Sequence, residues 1–117
     1  ENADVDAAVQ RQIARLYALK AQYLGQIEGV VAGVKAQYQA LPAEQRTASA
    51  KQSLISSGIS RIAGLEGQCD GQVAAVVSEL RSILSGAGRS TSLADRVQSA
   101  YNQEKSLKKA YYASQIG

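Results

Sequence analysis

The sequence lacks several residue types on which catalysis and metal binding most often depend. Its 117 residues include no histidine, tryptophan, phenylalanine or methionine, and just one cysteine and one proline. Without histidine the chain has neither the commonest general base nor the commonest metal ligand. Its one cysteine, Cys69, can neither form an internal disulfide nor hold a zinc ion alone. We therefore expect no enzymatic activity, no metal site and no cofactor.

Long apolar runs are also absent. The longest segment without a charged side chain, residues 52–60, is polar and far shorter than the roughly 20 apolar residues that cross a bilayer. We expect no transmembrane segment in this chain. The chain begins at Glu1 and not at methionine, so we expect either a shortened chain or a mature protein whose export segment has been removed. The second alternative favours an extracellular or cell-envelope location.

The charge balance is mildly basic, with 13 basic and 10 acidic residues and a net charge of +3. The basic residues are spread along the chain, whereas nucleic-acid binding usually needs a concentrated basic face, so we expect no nucleic-acid partner. One cluster, Lys105, Lys108 and Lys109, lies near the end of the chain. It favours a helix C-terminus, where the helix dipole attracts cations. The alternative is a site for an anionic partner.

Apolar residues recur at steps of three and four in three successive runs, which is the period of one face of an α-helix. These runs predict helices over about residues 3–40, 43–85 and 92–114. Pro42 and the Gly86–Gly88 segment interrupt the pattern and mark the turns between the helices.

The second helix has an alternative start, because Thr47 and Ser49 are both good N-cap residues and Ser49 is spaced from Gln52 as in a capping box. Short connections force neighbouring helices to be antiparallel. The predicted fold class is therefore all-α. We expect an elongated, coiled-coil-like antiparallel hairpin with a shorter third helix along it, a three-helix bundle that forms one domain over residues 1–117.

Glycines recur at a spacing of four inside the first two predicted helices. They are Gly25, Gly29 and Gly33 in the first helix and Gly67 and Gly71 in the second. Each glycine inside a helix costs about 1 kcal/mol relative to alanine, so a group of them needs a reason. The spacing favours close approach of two helices within the chain. The alternative is a smooth ridge for a partner helix or for a second copy of the chain, which allows a homodimer.

Cys69 lies in the apolar stripe of the second helix, where it is expected to act as a small apolar core residue. Its neighbours Glu66 and Asp70 disfavour a reactive thiolate. These two carboxylates are one helical turn apart, and we expect them to lie on a solvated face; the alternative is that they share a cation. Tyr111 and Tyr112 could form a small recognition patch beside the lysine cluster; the alternative is that their rings pack at the edge of the bundle.

Three segments, Leu41–Thr47, Gly64–Asp70 and Glu104–Tyr112, resemble segments of uncharacterised helical proteins of Gram-positive bacteria. Those proteins usually carry an N-terminal export or membrane segment. The resemblance covers most of the chain. It implies a location in the cell envelope and implies no activity.

These observations lead to two hypotheses of function. The first is a non-catalytic structural or protein-interaction module, a spacer or docking domain of a cell-envelope protein that binds an unidentified protein partner or associates with itself. The second is an adaptor that binds anionic partners, a membrane surface or a polymer, through Lys105, Lys108 and Lys109.

Overall fold

The computed structural model describes residues 2–116, apart from the side chains of Ala113 and Ile116. These residues form three α-helices, α1 (Asn2–Ala40), α2 (Ala48–Gly86) and α3 (Ser92–Ile116), and one 3-10 turn, Ala43–Gln45. The molecule is a rod that measures 68 × 17 × 17 Å. The predicted all-α hairpin with a shorter third helix is confirmed.

The direction of each helix follows from the bonds between helices. Asp70 of α2 contacts Lys105 of α3, and Arg81, further along α2, contacts Asp95, near the start of α3. Residue numbers that rise along α2 therefore meet numbers that fall along α3, so these two helices are antiparallel. α3 consequently runs parallel to α1.

The second helix does not begin near residue 43 but at the alternative start that the sequence offers at Thr47. Residues 43–45 form a 3-10 turn, and α2 begins at Ala48. Thr47 has an extended backbone, and its hydroxyl accepts a hydrogen bond from the Ala50 amide at 3.1 Å. Because Thr47 is the N-cap, Ser49 lies inside the helix, and the alternative capping box does not start the helix there.

The second turn follows the predicted pattern. Gly88 has a φ of 70°, a conformation that side chains disfavour, and it lies two residues after the end of α2, next to the C-cap Ala87. The Arg89 amide then donates to the Leu84 carbonyl at 2.8 Å, which satisfies one of the free carbonyls at the end of the helix. The Arg89 side chain also pairs with Asp6 of α1.

The core is a continuous seam of aliphatic side chains between α1 and α2. Its most deeply buried members are Ile27, Val73, Val76 and Leu80. The two helices pack closely at Gly58, where a Cβ atom would lie 2.8 Å from Cγ2 of Val34. The helices of the hairpin therefore pack mainly through aliphatic contacts along their full length.

α3 adds little apolar surface to this core. Ala94 and Tyr101 are its buried residues within the described part of the helix. The apolar pattern of the third run continues from Tyr101 to Leu107 and Tyr111, which would place the last two on the buried face as well, but they are 68% and 55% exposed. Ala100 is exposed as well. α3 thus contacts the hairpin through a narrow stripe, which leaves polar contacts a larger part in holding it.

Candidate functional site

A group of charged and tyrosine side chains, which we call the polar cluster, joins α3 to α2 near the middle of the rod. It consists of Glu66, Asp70, Tyr101, Lys105 and Lys109. The Lys105 ammonium donates to both carboxylate oxygens of Asp70 at 3.0 Å and lies 3.1 Å from Glu66. Lys109 lies 3.0 Å from Glu66. The two carboxylates therefore share a cation, but the cation is a lysine of the same chain.

Tyr101 completes the cluster from the inner side of α3. Its hydroxyl donates to Asp70 at 2.8 Å, and the Lys105 ammonium lies 5.6 Å from the centre of its ring. The Lys105 side chain is 16% exposed, so its bonds are screened less than those of a surface lysine. The prediction of a solvated face is wrong for Glu66, whose side chain is 17% exposed, whereas the side chain of Asp70 stays 41% exposed.

The pKa values of the two best-paired groups reflect this arrangement. Partial burial acts to raise the pKa of Glu66, but hydrogen bonds from Lys109 and Lys105 outweigh it and hold the pKa below its usual range. Burial acts to lower the pKa of Lys105, but hydrogen bonds to Asp70 and Glu66 outweigh it and raise the pKa. Both groups are therefore held in their charged forms, which suits a lasting ion pair and not proton transfer.

Two buried tyrosines lie next to the cluster. Burial, together with the negative charge of Glu66, raises the pKa of Tyr23 to about 12. Burial also raises the pKa of Tyr101, with further contributions from Cys69 and Asp70. The Tyr23 hydroxyl has no hydrogen-bond partner among residues 2–116. Both phenols are therefore kept neutral.

The lysine cluster predicted from the sequence is divided by the fold. Lys105 and Lys109 are bound to Glu66, whereas Lys108 forms no ion pair within the described part of the chain. The prediction that the cluster lies at a helix C-terminus is wrong, because α3 continues to Ile116 and its last turn holds no basic residue. Two of the three lysines are thus neutralised by carboxylates of α2, and the cluster offers little free charge to an anionic partner.

The two consecutive tyrosines have different surroundings. Tyr112 is half-buried and its hydroxyl donates to Glu28 of α1 at 2.8 Å. Tyr111 is largely exposed, and its ring meets that of Tyr112 edge-on with centroids 5.2 Å apart. Tyr112 therefore fixes α3 to α1, and Tyr111 is the member of the pair that remains available to a partner.

Four of the five glycines selected from the sequence, Gly25, Gly29, Gly67 and Gly71, are exposed. A Cβ atom at Gly25, Gly29, Gly33, Gly67 or Gly71 would meet no atom of a neighbouring element within 4 Å. The interpretation that these glycines allow close approach of helices within the chain is therefore wrong. Gly58, which sequence reasoning did not select, has that role. A ridge for a partner helix or a second copy stays a prediction.

Cys69 is buried, as predicted, and its thiol donates weakly to the Leu19 carbonyl at 3.9 Å. Within residues 2–116 no group of three or more carboxylate or cysteine side chains could hold a metal ion. The same residues include no helix with the length and apolar character that a membrane span requires. Sequence reasoning missed the Asp70–Lys105 pair, because no local spacing links residues that are 35 positions apart.

The two buried tyrosines should respond in opposite ways to removal of the hydroxyl. Tyr23→Phe removes a buried hydroxyl that has no partner, so the free energy of unfolding should rise by about 1 kcal/mol. Tyr101→Phe removes the donor to Asp70, so the free energy of unfolding should fall by about 1 to 2 kcal/mol. Urea unfolding followed by circular dichroism measures both changes. Equal losses in the two variants would show that the Tyr23 hydroxyl has a stabilising partner.

Comparison of the chain with protein-family models, with curated proteins and with solved structures gives no match in any of the three.

Proposed function

We propose that the chain is a non-catalytic structural or protein-interaction module, which acts as a rigid spacer or docking domain. The observation that carries this proposal is the shape of the molecule, a rod 68 Å long and 17 Å wide that is built from two helices of 39 residues each. A location in the cell envelope is part of the proposal and rests on the resemblance of three segments to helical proteins of Gram-positive bacteria.

Polar bonds between the helices at several positions along the rod support a spacer role. Beginning near the turn between α2 and α3, they join Arg89 to Asp6, Arg81 to Asp95, Arg15 to Glu79, Lys20 to Glu104, Lys105 to Asp70 and Tyr112 to Glu28. A single exposed pair contributes little, but pairs on all three helices resist sliding and splaying. The groups that could otherwise take part in chemistry are used to fix helices to one another.

Surface features of the helices support a docking role. Gly25, Gly29, Gly67 and Gly71 are exposed, and no contact within the chain explains them. Glycine lets the backbone of another helix come close. Leu107 and Tyr111 add exposed apolar area on α3. Each of these features is open to contact by a protein partner or a second copy of the chain.

Small-angle X-ray scattering and light scattering test both parts of the proposal. A rigid spacer should scatter as a rod with a radius of gyration near the 19.0 Å of its Cα atoms and a longest dimension near 68 Å. If the glycine ridge docks a second copy, the mass should rise with concentration, and Gly29→Leu should reduce that rise without unfolding the chain.

Ala14→Leu is a matched control, because Ala14 is exposed on α1 three turns before Gly25. This variant should associate as the unaltered chain does. A broad distribution of shapes would contradict the spacer. A strict monomer at high concentration, with Gly29→Leu binding the same partners as the unaltered chain, would remove the ridge.

A further inference from the structure

The end of the hairpin near the turn between α1 and α2 carries a groove between these helices, which we call the tip groove. It is lined by Val34, Lys35, Tyr38, Gln39, Lys51, Leu54 and Ile55. Its volume of about 100 Å³ is far smaller than the roughly 300 to 1,000 Å³ of a site for a cofactor or drug-sized molecule. Its dimensions therefore suit side chains of another polypeptide.

The tip groove has an apolar floor and basic rims. Val34 is buried and Leu54 and Ile55 are half-buried, so aliphatic carbon forms the bottom. Lys35 and Lys51 are exposed, one on each helix, and neither forms an ion pair with any residue from 2 to 116. The seven lining residues include no carboxylate. The groove is thus complementary to a surface that is apolar at its centre and acidic at its edges.

The tip groove continues the flank of the hairpin that α3 covers. Lys35 also lines the cleft between α1 and the end of α3, together with Tyr112 and Gln115. Ile59 lies seven residues before Glu66, which contacts α3, so both residues share one face of α2. Ile59 is 50% exposed, although its face is covered by α3 further along. The flank therefore has a third helix along part of its length and none at its tip.

α3 shows how this flank is covered where a helix is present. Glu104 of α3 pairs with Lys20 of α1, and Tyr101, one turn earlier on α3, is buried against the core. An aromatic or aliphatic side chain thus enters the seam while a neighbouring carboxylate bonds to a lysine at the rim. Lys35 offers the same kind of partner about four turns further along α1.

We propose that the tip groove docks an amphipathic α-helix of another protein, one that carries apolar residues at helical spacing with carboxylates beside them. The helix would lie end to end with α3, with its apolar face on Leu54, Ile55 and Ile59 and its carboxylates on Lys35 and Lys51. This inference rests on the docking part of the proposed function and names the chemistry of the partner. Binding should weaken as salt screens the two lysines.

Two synthetic helical peptides of roughly 20 residues test the proposal, a length at which helices can form in isolation. Both have leucines on one face; the first has glutamates beside them and the second has lysines. Fluorescence anisotropy should show binding of the glutamate peptide alone. The variant with Lys35→Glu and Lys51→Glu should bind the glutamate peptide at least about tenfold more weakly. It should bind the lysine peptide instead, because the charges of the groove and of the peptide are then both reversed.

A variant with Arg11→Glu and Arg96→Glu is the matched control. It changes the net charge by the same amount, and both arginines are exposed and form no ion pair within residues 2–116. It should bind the glutamate peptide as the unaltered chain does. Amide chemical shifts in NMR spectra should change near Tyr38 and Ile55 and not along α3. Circular dichroism should show that both variants stay helical, since all four altered side chains are exposed.

Several results would overturn the proposal. Equal loss of binding in the control variant would show that net charge alone attracts the peptide. Shifts confined to the glycine-bearing faces would show docking elsewhere, which would leave the proposed function standing and remove the tip groove. Concentration-dependent dimers of the chain that Lys35→Glu with Lys51→Glu dissociates would make the occupant a second copy. Binding of neither peptide, with rod-like scattering intact, would leave a spacer without this docking site.

Discussion

Alanine at Gly25, Gly67 and Gly71 together is expected to raise the free energy of unfolding by about 2 to 3 kcal/mol. Each glycine lies well inside α1 or α2 and is exposed, and an added Cβ atom would meet nothing within 4 Å. Alanine also restricts the unfolded chain, which adds to the effect. Thermal unfolding should therefore shift upward by about 10 °C.

Gly58→Val is the contrasting variant. Even a Cβ atom at this position would lie 2.8 Å from Cγ2 of Val34. Valine side chains have little freedom to move aside, so overpacking should lower the free energy of unfolding by about 1 to 3 kcal/mol. Calorimetry of both variants measures the difference in sign. If the triple alanine variant were no more stable than the unaltered chain, the exposed glycines would have contacts within the fold after all.

Raising the pH from about 9 to above 12 is expected to destabilise the chain by about 3 kcal/mol through Tyr23 alone. The pKa of Tyr23 is raised from 10.0 to about 12, first by burial and then by the charge of Glu66. A raised folded-state pKa means that the contribution is complete below the unfolded value of about 10 and is lost as the pH rises through the folded value.

Lys105 and Tyr101 also make the stability of the chain fall as the pH rises. Hydrogen bonds to Asp70 and Glu66 overcome burial and raise the pKa of Lys105, and burial raises the pKa of Tyr101. Their contributions are also lost as the pH rises. Because Tyr101 and Lys105 belong to α3, we expect α3 to separate from the hairpin first, beginning at the polar cluster.

Circular dichroism and hydrogen exchange along a pH series measure this loss. Tyr23→Phe should move the alkaline transition to higher pH, because phenylalanine does not ionise. Tyr17→Phe, which alters a tyrosine that is 61% exposed, should leave it unchanged. The same alkaline midpoint for the Tyr23→Phe variant and the unaltered chain would remove Tyr23 as the cause.

At low pH the stability depends on Glu66, whose pKa is shifted in the opposite direction. Its pKa lies below the usual value of 4.5, because hydrogen bonds from Lys109 and Lys105 outweigh burial. Its contribution is present above the unfolded value and is lost as the pH falls through the folded value. The polar cluster is therefore strongest between about pH 5 and pH 10.

Much of the architecture could be predicted from the sequence, because helical periodicity and turn residues are local signals. The steps of three and four in α1 and α2, and the left-handed residue at Gly88, gave the helices and the second turn. The start of α2 was placed too early, because Pro42 also suits a helix start. Thr47 is the N-cap, because its hydroxyl accepts a hydrogen bond from the Ala50 amide. Other residues of this segment can make the same kind of bond, so the local sequence did not single out Thr47.

The candidate site was less accessible to sequence reasoning, because its contacts join residues that are distant in the chain. Lys105 looked like one member of a basic cluster, but Asp70 and Glu66 hold it at the α2–α3 interface. The glycine spacing suggested close packing, yet the packing glycine is Gly58, where Val34 of the opposite helix comes close.

By itself the sequence determined that the chain is helical and that it contains no histidine, because composition and the period of apolar residues are read directly from the sequence. Three features were decided only by the packing of the three helices against one another. These are which lysines are neutralised, which glycines stay open and where the hairpin lacks a third helix. The physical reason is that burial and charge pairing depend on the relative position of helices, which the residues of one helix do not encode alone.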